Sequence, residues 1–337
     1  MYLVVTIDTE EDNWARYSAT DNPVANIEEL IPLQRLFDRY GVRPTYLISY
    51  PVATHPRSVA ILKGFLDQGK CEIGMHCHPW NTPPFDPTAS IAERDTMLCN
   101  LDPRIQSEKL AALRAAIVAG FGVAPRSFRA GRWGLGPGTV EALYDLGLRV
   151  DSSVTPFIGW QAYQGPDHSS FGPELFWLVH DSGSIRNPIL EVPVTVGFLQ
   201  SNFKRCQKLL QFAEQPLLRR TRIIGILYYM GLLNKVWLSP EHANGAMMIA
   251  ITKRFIKNGY PVINLSFHST TLKNGLNSVV PDEEHKKVFS QRIEEFLTFA
   301  NDIGLIPLTL SQLEQRFRQS KTDRLVVRHL TGSSYGA

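Results

Sequence analysis

The sequence predicts an α/β barrel of mainly parallel strands wrapped by helices and broken once by a helical insertion. Three observations predict it. Short apolar runs alternate with stretches of helical periodicity. Acidic and basic residues recur at the ends of those runs, and the segment 199–258 interrupts the alternation.

Tyr2–Ile7 reads as a buried first strand; it is too short for a signal peptide, has no basic start and leads directly into carboxylates. Ile27–Tyr40 carries Ile27, Leu30, Ile31 and Phe37 at helical spacing and stops at Gly41. Arg43–Ser49 is the next expected strand, followed by a helix over Ser58–Gln68 and a strand over Cys71–Met75. Helices within Ala89–Asn100 and Ser107–Phe121, a strand at Ser127–Arg129 and a helix at Pro137–Leu146 continue the order. Further strands are expected at Ile189–Val194, Val262–Phe267 and Leu305–Leu308, with helices at Glu283–Asp302 and Ser311–Arg318. Repeated β-then-α order implies crossover helices between parallel strands, and the count suits a closed or nearly closed barrel. A single domain over 1–318 is expected, with 319–337 as a loose tail.

With 337 residues, 44% hydrophobic and 20% charged, the chain has an ordinary globular composition. A net charge of +3 is too mild for a nucleic-acid partner, which needs a concentrated basic face. Cys71, Cys77, Cys99 and Cys206 form no CxxC pair or dense framework, which favours a reducing compartment and a cytoplasmic location. No run reaches the roughly 18 apolar residues of a membrane span. The longest, Ile223–Leu233, lies among Arg219, Arg220, Arg222 and Lys235. It reads as a helical pair packed on the barrel, with weak peripheral contact to anionic lipid at the inner membrane as the alternative.

In a parallel barrel the C-terminal ends of the strands share one mouth, where active sites are built. Here those ends carry Asp8, Glu10, Glu11 and Asp12, then His76 and His78, then Arg129, Asp151 and His268. Two-residue spacing puts both imidazoles on one side of an extended strand. With a carboxylate from the first strand they make a His₂-carboxylate set suited to zinc or a related divalent metal ion. Asp8 and Glu10 have the same spacing, so one can bind metal while the other takes a proton from water; Asp12 reads as a cap. Arg129, beside Gly131 and Gly134, is placed to hold an anionic base by a two-pronged hydrogen bond. Asp151 competes as a turn cap with Ser152, and His268 is a natural proton donor to a leaving amine. Trp80, Trp133 and Trp160 adjoin these motifs and suit either core packing or stacking on a sugar face.

TIDTEED, VRPTYLI, EIGMHCHPW, SFRAGRWG, DSSVTP and INLSFHS, taken in order, resemble the motif series of the polysaccharide deacetylase superfamily, the NodB homology domain or carbohydrate esterase family four. The resemblance spans about residues 2–310 and is closest to the WalW-type subgroup of lipopolysaccharide biosynthesis. It implies a distorted (β/α)₇ barrel that hydrolyses an N-acetyl group on a sugar. Carried onto this chain, it implies Asp8 as general base, Glu10, His76 and His78 as metal ligands, and His268 as general acid. Arg129 would tether Asp8, Asp151 would tune His268, and the backbone N–H near Arg132 would help stabilise the oxyanion, with Trp80, Arg132 and Trp133 facing substrate. The chain departs from the family pattern in two respects: Thr9 and Glu10 stand where it places its metal acid, and Trp80 where it places its second histidine. Glu11 is the alternative acid. Two other functions use the same scaffold: a metal-independent, allantoinase-like C–N hydrolase, separable by its indifference to chelators, and a non-catalytic saccharide-binding homologue, which would release no acetate.

Overall fold

The computed structural model describes residues 1–13, 16–86, 88, 90–179, 188–319, 326–328 and 330. Its strands are β1 (Tyr2–Thr9), β2 (Thr45–Ile48), β3 (Glu72–Cys77), β4 (Ser127–Ala130), β5 (Val150–Asp151), β6 (Phe176–Leu178) and β7 (Ile189–Glu191). After them come β8 (Val196–Phe198), β9 (Lys235–Trp237), β10 (Val262–His268), β11 (Ile306–Pro307) and β12 (Val326–Arg328). One curled sheet runs β10-β1-β2-β3-β4-β5-β7-β6-β12, with β11 also paired to β1. Its pairs are parallel except β6 with β7.

β1 lies inside this sheet, and every residue from Leu3 to Thr9 is buried, as expected of a parallel strand covered on both faces. A separate antiparallel pair, β8 with β9, lies along the free edge of β10. There Thr195 N–H donates to Asn264 O at 3.3 Å, and Ser266 N–H to Leu238 O at 3.3 Å, so β10 is joined to this pair and the half-barrel is nearly closed.

The helices α1 (Leu30–Arg39), α2 (Tyr50–Thr54), α3 (Pro56–Asp67), α4 (Pro103–Phe121) and α5 (Pro137–Asp145) cover the first strands. α1 buries Leu30, Leu33, Leu36 and Phe37, each such side chain contributing about 1.5–3 kcal/mol of hydrophobic stabilisation. Asp102 caps α4 by accepting the Arg104 N–H, and Gly122, at φ 73°, ends it. The first turn of the helix expected from Ile27 is instead a 3₁₀ turn over Ala25–Glu29, where the Asp12 carboxylate accepts the N–H groups of Ala25 and Asn26 at 2.9 Å. Asp12 therefore does act as a cap.

Two expectations are corrected in detail. Within Ala89–Asn100 the described residues form only the 3₁₀ turns Glu93–Thr96 and Leu98–Asn100. The segment has too few apolar positions to bury a helical face, and Cys99 N–H is drawn to Gly134 O at 3.1 Å. The stretch 199–258 is not all insertion. α6 (Phe203–Ala213), α7 (Pro216–Arg219) and α8 (Ile223–Tyr229) form a helical excursion between β8 and β9. α9 (Gly245–Lys257), by contrast, packs on α10 (Glu283–Asp302), with Lys253 Nζ 5.5 Å above the Phe299 ring, as a regular member of the outer helical layer. α11 (Leu310–Gln319) completes that layer. Of the expected tail, Val326–Arg328 pairs in parallel with β6; its other residues, apart from Gln319 and Leu330, lie outside the described set.

Candidate active site

Strand register assembles the site. β1 and β10 are aligned so that Asp8 stands beside His268, and β3 and β4 so that His76 stands beside Arg129. Glu10 and His78 lie two residues beyond Asp8 and His76, so the pleat returns both to the same mouth. The backbone past β1 is fixed from both sides: Ser269 Oγ accepts the Glu10 N–H at 3.1 Å, and Asn26 Nδ2 donates to Glu10 O at 2.9 Å.

Glu10, His76 and His78 are buried and form a group able to hold a metal ion, their candidate ligand atoms all within 4.8 Å of one another. His76 Nδ1 is 3.1 Å from Arg129 O, and His78 Nδ1 is 2.8 Å from Glu11 Oε1. With each Nδ1–H donating outward, both Nε2 atoms turn inward, 3.0 Å apart and 3.5 and 3.3 Å from Glu10 Oε2. Two inward ring nitrogens beside a carboxylate call for positive charge between them, met by a proton on His78 or by a metal ion in its place, and the outward bonds are those that orient metal-binding histidines. Burial opposes charge on His78, but Glu11 and then Glu10 raise it to about 10. Glu11, itself held by Ser49 Oγ at 3.1 Å, thus supports a histidine, while Glu10 faces the centre.

Gly131 leaves room for that histidine. A Cβ there would sit 2.5 Å from His78 Cδ2 and 2.6 Å from Cys77 O. Gly131→Ala should displace the ring and weaken any divalent-metal binding at this group by about tenfold or more. Calorimetric titration showing parental affinity would mean that the ring is positioned independently of this contact.

Arg129 is completely buried. Nη1 donates to Asp8 Oδ1 at 2.6 Å, Nη2 to Thr6 Oγ1 and Ser152 Oγ at 2.8 and 2.9 Å, and Nε to Ser152 O at 2.8 Å. The expected two-pronged grip on one carboxylate is thus a single bond to Asp8, with the rest of the fork anchored to the barrel wall. Burial pushes the Asp8 carboxyl up, yet Arg129 first, then His76 and His268, pull it below its ordinary value. Asp8 Oδ2 lies 3.7 Å from His268 Nε2.

The carboxylate behind His268 is Glu241. Its Oε1 accepts the His268 N–H at 2.9 Å, and both its oxygens lie 3.1 Å from His268 Nδ1. Asp151 is engaged elsewhere, accepting Ser153 N–H and Ser153 Oγ at 3.1 and 2.7 Å beside Glu191 on the paired strand. Burial raises both of these carboxyls. Burial disfavours the His268 imidazolium, but Glu241, then Glu10 and Asp8, raise its pKa to about 10. Glu241→Gln preserves shape and removes the charge, so the His268 pKa should fall by about one unit or more in an NMR ring titration; an unmoved titration would remove Glu241 from this role.

Strand-end reasoning misses Glu241 because it follows β9 of the extra strand pair. The available signal was the acid–histidine pair Glu241-His242 shortly after the apolar run ending at Leu238.

Asp8, Glu10, Glu11, His76, His78, Glu241 and His268 line a cavity of about 570 Å³ walled by Tyr17, Trp80, Trp133, Trp160, Tyr163 and Trp237. Trp80 stacks on His78 with ring centres 4.2 Å apart, and Trp133 lies 5.1 Å from the Arg129 guanidinium and 6.5 Å from Trp160. Arg132 and Trp133 take left-handed backbone conformations, φ 52° and 62°, unusual for such residues and characteristic of functional turns. The Arg132 side chain bonds Thr96 Oγ1 and lies 5.4 Å from the rings of both Tyr17 and Tyr163.

The architecture is that of the NodB-type half-barrel. The chain is similar to a Mycobacterium smegmatis protein provisionally named a polysaccharide deacetylase, at 15% identity and TM-score 0.57 over 98% of this chain and 93% of that one. A Pseudomonas aeruginosa protein, also provisionally named a polysaccharide deacetylase, matches at 12% identity and TM-score 0.53 over 96% and 92%. The 4-α-glucanotransferase of Thermococcus litoralis matches at 11% identity and TM-score 0.52, covering 98% of this chain but 41% of its own. No family model and no curated protein matches the sequence. At these identities the likeness establishes the fold, and any functional argument has to rest on the site.

Proposed function

We propose that this chain is a metal-dependent hydrolase that removes the acetyl group from an N-acetylated saccharide. The observation that carries the proposal is the pair of inward-facing Nε2 atoms of His76 and His78 beside Glu10, within reach of both Asp8 and His268. A divalent ion, zinc by the nitrogen-rich donor set, would be held by Glu10, His76 and His78 and would supply Lewis acidity toward an acyl oxygen. Asp8, with Oδ1 occupied by Arg129, takes a water proton at Oδ2, and His268 delivers a proton from Nε2 to the departing nitrogen. Acetate and a free amine are the products. The left-handed turn at Arg132–Trp133 supplies backbone N–H groups for the oxyanion. The aromatic walls suit the apolar face of a sugar ring, and the WalW-type resemblance favours a saccharide of the lipopolysaccharide kind.

The test combines two measurements on purified protein. Calorimetry should find one zinc per chain, lost with His78→Ala, and acetate should be released from N-acetylated oligosaccharides or lipid-linked sugars. Stoichiometric zinc with no acetate from any of these would refute the activity. Transfer or cleavage of the glycan backbone instead would place the chain with the glucanotransferase chemistry found on this fold.

A further inference from the structure

We infer that the helical excursion between β8 and β9 is a docking surface for an anionic lipid bilayer. This rests on the surface of the excursion and is independent of the activity proposed above.

α8 contains no buried residue. Its inner side, Ile224 and Leu227, is half-buried against the core, while Ile226, Tyr229 and Met230 turn outward, 54%, 93% and 63% exposed. Leu217 in α7 is 81% exposed, and Leu232 just beyond α8 is exposed as well. α6 extends the same character. It buries Phe203, Cys206, Leu210 and Ala213, yet leaves Leu209 and Phe212 in solvent. These seven large apolar side chains exposed within one excursion mark an interaction surface.

Charge decides what it meets. Lys204, Arg205, Lys208, Arg220 and Arg222 are exposed within the same excursion, and the sole acidic residue of 203–232 is Glu214. Basic side chains flanking exposed leucine, isoleucine and tyrosine match an interface of acyl chains beneath anionic headgroups. The seven residues of α8 extend only about 10 Å, and no helix among the described residues is long and apolar enough to cross a membrane. The excursion would therefore lie in the headgroup layer. It leads through β9 to Trp237 and Glu241 in the cavity wall, so docking would hold that cavity beside the bilayer.

The experiment is co-flotation of the full chain with phosphatidylcholine vesicles containing 0 or 30% phosphatidylglycerol. Binding should require the anionic lipid, weaken at least fivefold in 0.5 M salt, and fall at least tenfold in the double variant Leu217→Asp/Tyr229→Ser. Both positions are exposed, and an unchanged far-ultraviolet circular dichroism spectrum will show that the variant folds. Arg220→Glu/Arg222→Glu should give a comparable loss. The inference is overturned if the parent protein fails to float with anionic vesicles, or floats as well in the apolar variant. It is also overturned if the parent fails to float and sedimentation shows a self-association that the variant abolishes, which would make the patch a contact between copies of the chain.

Discussion

Replacing Arg129 with leucine should lower folding stability by about 3–5 kcal/mol, the usual cost of stranding one charge of a buried pair. The guanidinium has no exposure, and its four hydrogen bonds to side-chain and main-chain oxygens tie β1, β4 and the Ser152 turn together. Leucine leaves the Asp8 carboxylate buried without its principal cation, and Thr6 Oγ1 and the Ser152 carbonyl without the guanidinium donor, while Ser152 Oγ keeps Asn264 Nδ2. Because Arg129 depresses the Asp8 pKa, the stabilisation from this pair is present at neutral pH and disappears as acidification protonates Asp8. Urea denaturation at pH 7 should therefore show a large fall in midpoint that narrows in acid. The double variant Asp8→Asn/Arg129→Leu should recover about 1 kcal/mol or more of the loss, since the stranded charge has gone. A single variant within 1 kcal/mol of the parent would mean that the fork is dispensable and that Asp8 finds another counter-ion.

Much of this arrangement was legible in the sequence because period-two spacing and parallel register are local rules. Asp8 with Glu10 and His76 with His78 needed only extended backbone to face one mouth, and the structure places them there. The choice between Glu10 and Glu11 was not legible. It depends on the chain turning after Thr9, where Ser269 and Asn26 hold Glu10 inward and Ser49 receives Glu11. Asp151 looked a suitable partner for His268 because both end strands, yet β5 and β10 lie on different arms of the curl, and β5 is paired with β7 and Glu191. Glu241 reaches His268 because the β8–β9 pair lies beside β10, a long-range event with no local periodic signature. The helical excursion was legible as amphipathic, whereas the division of its apolar side chains was not: Phe203, Leu210, Ile224 and Leu227 pack on the core as expected of a helical pair on the barrel, while Leu217, Ile226, Tyr229 and Met230 stand in solvent.

Asp8→Asn should reduce the rate of acetate release by about 10²–10⁴-fold while leaving zinc affinity within about threefold of the parent. Asparagine retains the shape of the side chain but takes no proton from water, and Asp8 is outside the Glu10, His76 and His78 group. Glu10→Gln should behave differently, losing zinc because its oxygen faces both Nε2 atoms. Comparing the two variants separates the general base from the ligand, a distinction that activity measurements alone would blur. The Asn variant also leaves the Arg129 charge without its carboxylate, so the assay must be run well below the melting temperature of the variant, and its folded fraction measured in the same buffer. If zinc binding is lost together with activity, Asp8 belongs to the coordination sphere. If more than a tenth of the rate survives, the proton is accepted elsewhere. Glu11 would be a poor substitute, because its two oxygens are already engaged by His78 and Ser49.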